Sequence, residues 1–121
     1  MQTRQVVTAL GALAHETRLG IFRLLVRRGP DGLSAGTLAE RLGIAPATLS
    51  FHLADLTRAG LIDQRRESRS LIYSANFESM NALVGYLTAN CCAEQSDGAP
   101  SVTEVVAAAL KSSRQRRTIA K

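Results

Sequence analysis

The chain has 121 residues with no tryptophan and few aromatics, so a single core must be built from Leu, Ile, Val and Ala. Its formal charge of +5 sits wholly in a C-terminal tail (Lys111, Arg114, Arg116, Arg117, Lys121), because residues 1–110 carry ten basic and ten acidic side chains, so any case for a polyanionic partner rests on local placement of charge. No apolar run approaches a membrane span, no signal-peptide pattern opens the chain, and the two cysteines are adjacent, where relaxed disulfide geometry is rare; these argue against a membrane protein and a stapled secreted scaffold, and a cytoplasmic protein is expected.

Along the chain, Val6, Val7, Leu10 and Leu13 recur at helical spacing within Thr3–Ala14. That stripe is terminal and needs somewhere to bury. Glu16–Arg28 reads as a second helix with a broad apolar face of Leu19, Ile21, Phe22, Leu24, Leu25 and Val26, and Gly29-Pro30-Asp31-Gly32 breaks it. Ser34 is a plausible N-cap for a short helix through Leu38, Ala39 and Leu42 to Gly43.

After the tight Gly43-Ile44-Ala45 connection comes the stretch that organises the chain, Ala45–Gly60. Pro46 suits a first helical position and Gly60 a left-handed stop. Leu49, Leu53 and Leu56 form an apolar stripe, with His52 beside it. Ala47, Phe51, Ala54, Asp55 and Arg58 lie opposite, flanked by Thr48 and Ser50. A short helix, a turn containing Gly and a second helix with an apolar inner face make the helix-turn-helix pattern. Phe51 on an outer face of small residues suits a helix entering the DNA major groove, where an apolar group meets a thymine methyl and hydroxyls or imidazole hydrogen-bond. The plainer alternative is that Phe51 packs on a neighbouring element.

Beyond Gly60 the period changes. Leu61–Arg66 and Ser70–Ser74 read as two strands around the polar Glu67-Ser68-Arg69, and the lack of an Asn-Gly signature predicts a longer, mobile tip. Arg65, Arg66 and Arg69 cluster there. Directly after a helix pair, such a hairpin reads as a wing whose basic tip meets phosphates. Asn76 can cap a last long helix with Phe77, Met80, Leu83, Val84 and Leu87 as its apolar face, expected to reach Cys91-Cys92. Ala93–Ser101 reads as a linker, Val102–Leu110 as one more short helix, and Ser112–Lys121 as a disordered basic tail. The predicted fold is mainly α with a β-hairpin (α+β), a winged helix-turn-helix over residues 1–92 for DNA binding and dimerisation, followed by 93–121.

Taken in order, Ala14-His15-Glu16-Thr17-Arg18-Leu19, Leu38-Ala39-Glu40-Arg41-Leu42-Gly43, Ala47-Thr48-Leu49-Ser50-Phe51-His52-Leu53 and Ala59-Gly60-Leu61-Ile62 resemble the ArsR/SmtB family of metal-sensing repressors, over about Val6–Cys92. The resemblance implies a homodimeric, non-enzymatic repressor that leaves a palindromic double-stranded operator when a thiophilic metal or metalloid binds. Met80-Asn81-Ala82-Leu83 through Cys91-Cys92 looks like the arsenic-responsive branch, whose ligands lie at the end of the last helix. Two departures stand out. The family's Cys-x-Cys site falls here on Ser34, Ala35 and Gly36, which supply no thiolate, and no third cysteine follows within Glu94–Gly98.

Thr48, Ser50, Phe51 and His52 are therefore the candidates for reading bases or positioning the helix, Arg65, Arg66 and Arg69 for phosphate contact, and Cys91 and Cys92 for the ligand. No cofactor is required. Two soft thiolates suit a trivalent arsenic species, arsenite or methylarsenite, as inducer. Across a dimer axis three or four thiolates can join, which keeps zinc and cadmium open. A redox-sensing repressor using the same cysteines is the nearest alternative. A thiol enzyme lacks its Cys-x-x-Cys or adjacent base, and a winged-helix protein-interaction module is the third. His15 and His52 are expected to hydrogen-bond rather than to ligate. The first and last helices are expected to form the dimer interface.

Overall fold

A computed structural model describes residues 1–94 and 106–110. Met1–Tyr86 form one compact unit and Leu87–Lys121 a second. The elements run α1 (Thr3–Leu13), α2 (Glu16–Arg28), β1 (Leu33–Ser34), α3 (Ala35–Leu42), α4 (Pro46–Arg58), β2 (Ile62–Glu67), β3 (Ser70–Ala75) and α5 (Phe77–Thr88). This is the predicted winged helix-turn-helix, with one strand more than expected.

Each helix is bounded by local chemistry. The His15 Nδ1 accepts from the Thr17 N–H at 3.1 Å, so an imidazole caps α2, while Glu16 and Arg27-Arg28 complement its dipole at opposite ends. Ser34 caps α3 by accepting from the Thr37 N–H at 3.2 Å. The α3 helix ends at Gly43, φ 64°, with the Ile44 N–H reaching back to the Ala39 carbonyl at 3.1 Å. That left-handed cap makes the sharp turn between the two helices of the motif. Pro46 opens α4, and the Leu61 N–H closes it on the Leu56 carbonyl at 3.1 Å.

The core is one aliphatic cluster. Ile21, Phe22 and Leu25 of α2, Leu38 of α3, Leu49, Leu53 and Leu56 of α4, and Leu61 and Ile62 entering β2 are buried, joined by Val6 and Ala9 of α1 and Leu83 of α5. No buried polar or charged residue occurs among the described residues. The stripe expected on α4 is thus its inner face. Those expected on α1 and α5 are divided: Val6 and Leu83 are buried, whereas Val7, Leu10, Val84 and Leu87 are exposed.

The sheet differs from expectation in two respects. Its order is β1-β3-β2, all antiparallel, because Leu33 and Ser34 pair with Tyr73 and Ile72. The hairpin tip is tight rather than long: Glu67 pairs with Ser70, leaving only Ser68 and Arg69 in the turn. Ser68 takes φ 54°, the positive value a two-residue hairpin needs at its first central position. A serine there hides the turn from a search for Gly or Asn.

Gly32 is what permits the third strand to approach. At φ 70°, a Cβ on it would collide with the Tyr73 carbonyl oxygen and lie 2.9 Å from the Ile72 Cγ2. Gly32→Ala is expected to lower unfolding free energy by at least about 2 kcal/mol, read from urea denaturation. An unchanged midpoint would mean that β1 is not held against β3.

Candidate nucleic-acid interface and thiol pair

The outer face of α4 carries the first set of candidates. Thr48, Ser50 and Phe51 are exposed, and Phe51 is 76% accessible, so no described element of its own chain covers it. The Ser50 Oγ donates to the Pro46 carbonyl at 3.1 Å, which leaves its lone pairs outward. These residues lie in the first half of the helix, whose N-terminal residues reach base edges in docked helix-turn-helix proteins. No acidic residue occupies the first turn of α4.

His52 points elsewhere. It is half-buried against the start of α2, its ring centroid 4.8 Å from that of His15 at 47°, and its Nδ1 is buried without a partner among the described residues. Its side chain therefore positions α4 on α2 instead of extending with Phe51. Partial burial, reinforced by His15 and Arg18 and opposed by Asp55, holds its pKa below the ordinary value. The unfolded chain then takes up this proton first as pH falls, so stability from a neutral His52 is present at pH 7 and lost below about 6.5. The thermal midpoint is expected to fall between pH 7.5 and 5, and His52→Gln to flatten that fall; an equal fall in the variant would assign it to other groups.

The only acid on α4, Asp55, is neutralised twice. The Arg18 Nη1 donates to its Oδ2 at 2.9 Å, and the Arg58 Nη1 lies 3.3 Å from its Oδ1. The helix surface thus presents Arg58 without an uncompensated carboxylate.

The wing separates its three arginines. The Arg65 guanidinium donates to the Pro30 and Asp31 carbonyls at 3.2 and 2.6 Å and lies 3.8 Å from the Glu67 carboxylate, so it ties β2 to the loop after α2. Arg66 and Arg69 are exposed and line an open cleft of about 450 Å³ with Ser34, Gly36 and Ser70. Between α4 and the sheet, Ser50, Thr57, Arg58, Gln64 and Tyr73 line another open groove of about 390 Å³. Gln64 and Tyr73 were not among the sequence candidates. The two-residue turn was the missing signal, since its register sets Gln64 opposite Tyr73.

In the second unit, the helix stops at Thr88, short of the expected Cys91-Cys92, and residues 89–94 form turns. The Cys91 N–H reaches the Thr88 carbonyl at 3.0 Å, and Asn90 and Cys92 take φ 58° and 63°. Within a helix these neighbours would diverge by about 100°. Leaving the helix lets the two Sγ atoms converge to 3.4 Å, half-exposed. Hydrogen bonding with Cys91, then partial desolvation and the Cys91 charge, raise the Cys92 thiol above its ordinary range. No group of three or more His, Cys, Asp or Glu suited to a metal ion occurs among the described residues. Among the described residues the donor set at this turn is therefore a bare dithiol. Residues 106–110 are helical, in agreement with the C-terminal end of the short helix expected there. The rest of that helix, the linker beyond Glu94 and the basic tail lie outside the described residues.

Against known proteins, residues 13–65 match the family model described as a helix-turn-helix domain. The Escherichia coli (strain K12) HTH-type transcriptional regulator YgaV is 36% identical over 83 residues, covering 69% of this chain and 82% of its own. An ArsR-like transcriptional regulator from Rhodococcus sp. RHA1 superposes with a TM-score of 0.64 at 26% identity, over 90% of this chain and 92% of its own. The homodimeric winged helix-turn-helix DNA-binding domain Mb0332 of Mycobacterium bovis, a possible ArsR-family regulator, gives 0.59 at 28% identity over 77% and 86%. No described helix is long and apolar enough to cross a membrane.

Proposed function

We infer the function from kinship: the chain belongs to the ArsR-like winged helix-turn-helix transcriptional regulators. We propose further that it is a homodimeric repressor that holds a palindromic operator and releases it when a trivalent arsenical bridges Cys91 and Cys92. The carrying observation for DNA binding is the exposed Phe51 on a helix whose opposite face is sealed in the core. Thr48, Ser50 and Phe51 read the major groove, His52 seats the helix, and Arg66 and Arg69 meet phosphates. Groove entry needs close approach, which Ala47 and Ala54 permit.

Dimerisation uses α1 and α5. Val7 and Leu10 on one and Val84 and Tyr86 on the other are apolar and exposed, and the Thr3 and Tyr86 hydroxyls hydrogen-bond at 2.6 Å, tying the two helices side by side. The homodimeric state named for the M. bovis relative supports this reading. A two-fold pair sets its reading helices about 34 Å apart, one turn of duplex.

One protomer brings two thiolates together with no third His, Cys, Asp or Glu donor among the described residues, which supports a small trivalent arsenical over tetrahedral zinc with its four donors. Methylarsenite needs only two thiolates. Two As–S bonds form, two As–O bonds break, the thiol protons leave with the hydroxyls as two waters, and arsenic stays trivalent. Selection from a random duplex pool tests the DNA half of this reading. It is expected to yield a two-fold symmetric site with half-sites about 10 base pairs apart. Absence of enrichment would overturn it.

A further inference from the structure

Among the described residues, Arg18 joins the end of α1 to α4 by polar contacts, and it does so from a third helix. Its side chain is 19% exposed. Its Nε donates to the Ala12 carbonyl at 2.7 Å, in the last turn of α1, and its Nη1 to the Asp55 Oδ2 at 2.9 Å. The second oxygen of Asp55 faces Arg58 at 3.3 Å. An open groove of about 330 Å³, lined by Thr8, Gly11, Ala12, Arg18, Asp55 and Arg58, runs over this chain of contacts, so apolar packing does not seal it.

A helix-end carbonyl attracts a cation, and a guanidinium is a rigid fork that holds two acceptors at a fixed spacing, which an ammonium cannot do. Asp55 lies one turn beyond Phe51 on α4. Rotation of α4 about its axis, or displacement of α1, therefore breaks one arm of the fork. We propose that Arg18 is a positioning residue that sets the rotation of α4 against α1, and through it the presentation of Thr48 and Phe51 to DNA. The proposal rests on α4 being the reading helix. It makes sequence preference, rather than phosphate affinity, depend on a residue that never touches DNA.

The test compares wild type, Arg18→Lys, Asp55→Asn and the double variant. Each is measured for affinity toward the duplex that wild type selects from a random pool, for affinity toward random duplex, and for thermal midpoint. Arg18→Lys keeps the charge and loses the fork; Asp55→Asn keeps the shape and loses the ion pair. Either single change is expected to lower the specific-to-random ratio about tenfold, with random-duplex affinity and its salt slope unchanged in the charge-conserving Arg18→Lys, and the double variant to lose no more of that ratio than either. An unchanged ratio in Arg18→Lys, or additive losses, would overturn the proposal. So would a parallel fall in both affinities that tracks the midpoint, since that marks a merely structural role. Wild type without sequence preference would overturn this and the DNA-reading assignment together, whereas preference retained in the variants would overturn this alone.

Discussion

Replacing Cys91 and Cys92 together by serine is expected to leave DNA affinity at the wild-type value and to abolish release by methylarsenite. Serine is nearly isosteric, and both thiols sit in a half-exposed turn, so the fold has little to lose. The ligand has everything to lose, because a hydroxyl is a hard donor where arsenic(III) selects soft sulfur. Each single variant retains one sulfur and loses the chelate, so it is expected to respond only at much higher arsenical. Typical coupling of about 1–3 kcal/mol corresponds to a 5–150-fold fall in operator affinity in wild type and none in the double variant. Anisotropy of labelled operator reads both. Retained release in the double variant would move the sensor off this pair.

The second large effect belongs to the wing. An Arg66→Ala/Arg69→Ala protein is expected to bind every duplex more weakly by the same factor. Two lost phosphate contacts remove about 1.8 from the salt slope, which over the decade from 1 M to 0.1 M salt is up to about 60-fold in affinity. Arg65→Ala is expected to behave differently. Its guanidinium is committed to the Pro30 and Asp31 carbonyls, so its loss loosens the join between β2 and the loop after α2 and changes the slope less. Altered base preference with an unchanged slope in the Arg66/Arg69 variant would contradict the wing assignment.

What was legible in the sequence is what short-range chemistry decides. Pro46, the Leu49, Leu53 and Leu56 stripe, Ser34 three residues before Thr37 and the Gly43 stop delimit α3 and α4 without reference to the rest of the chain. Asn76 likewise caps α5, its Oδ1 accepting from the Ser79 N–H at 2.9 Å. The parts that were missed depend on partners far along the chain or on unusual conformers. Two residues of β1 carry no periodicity, and only Tyr73, forty positions later, makes them a strand. Ser68 adopts a left-handed conformation without being Gly or Asn. The last helix has no terminal glycine, and the left-handed Asn90 beyond Thr88 was its only cue.

The same division runs through the candidate site. Spacing alone places Phe51 on the outer face of α4, and no described element covers it. His52, one step round, could equally have faced DNA; what turns it inward is His15, thirty-seven positions earlier. Arg65, Arg66 and Arg69 look alike in sequence, and only the fold over Pro30 and Asp31 distinguishes the first of them.

The most direct measurement is a titration of operator-bound protein with methylarsenite, arsenite, zinc and cadmium in reducing, otherwise metal-free buffer, with a mild oxidant in a parallel sample without reductant. Release by methylarsenite saturating at one arsenic per protomer, with little effect of zinc or oxidant, is the expected result. Release by oxidant alone, or by zinc at half an equivalent per protomer with methylarsenite silent, would contradict an arsenical held by two sulfurs.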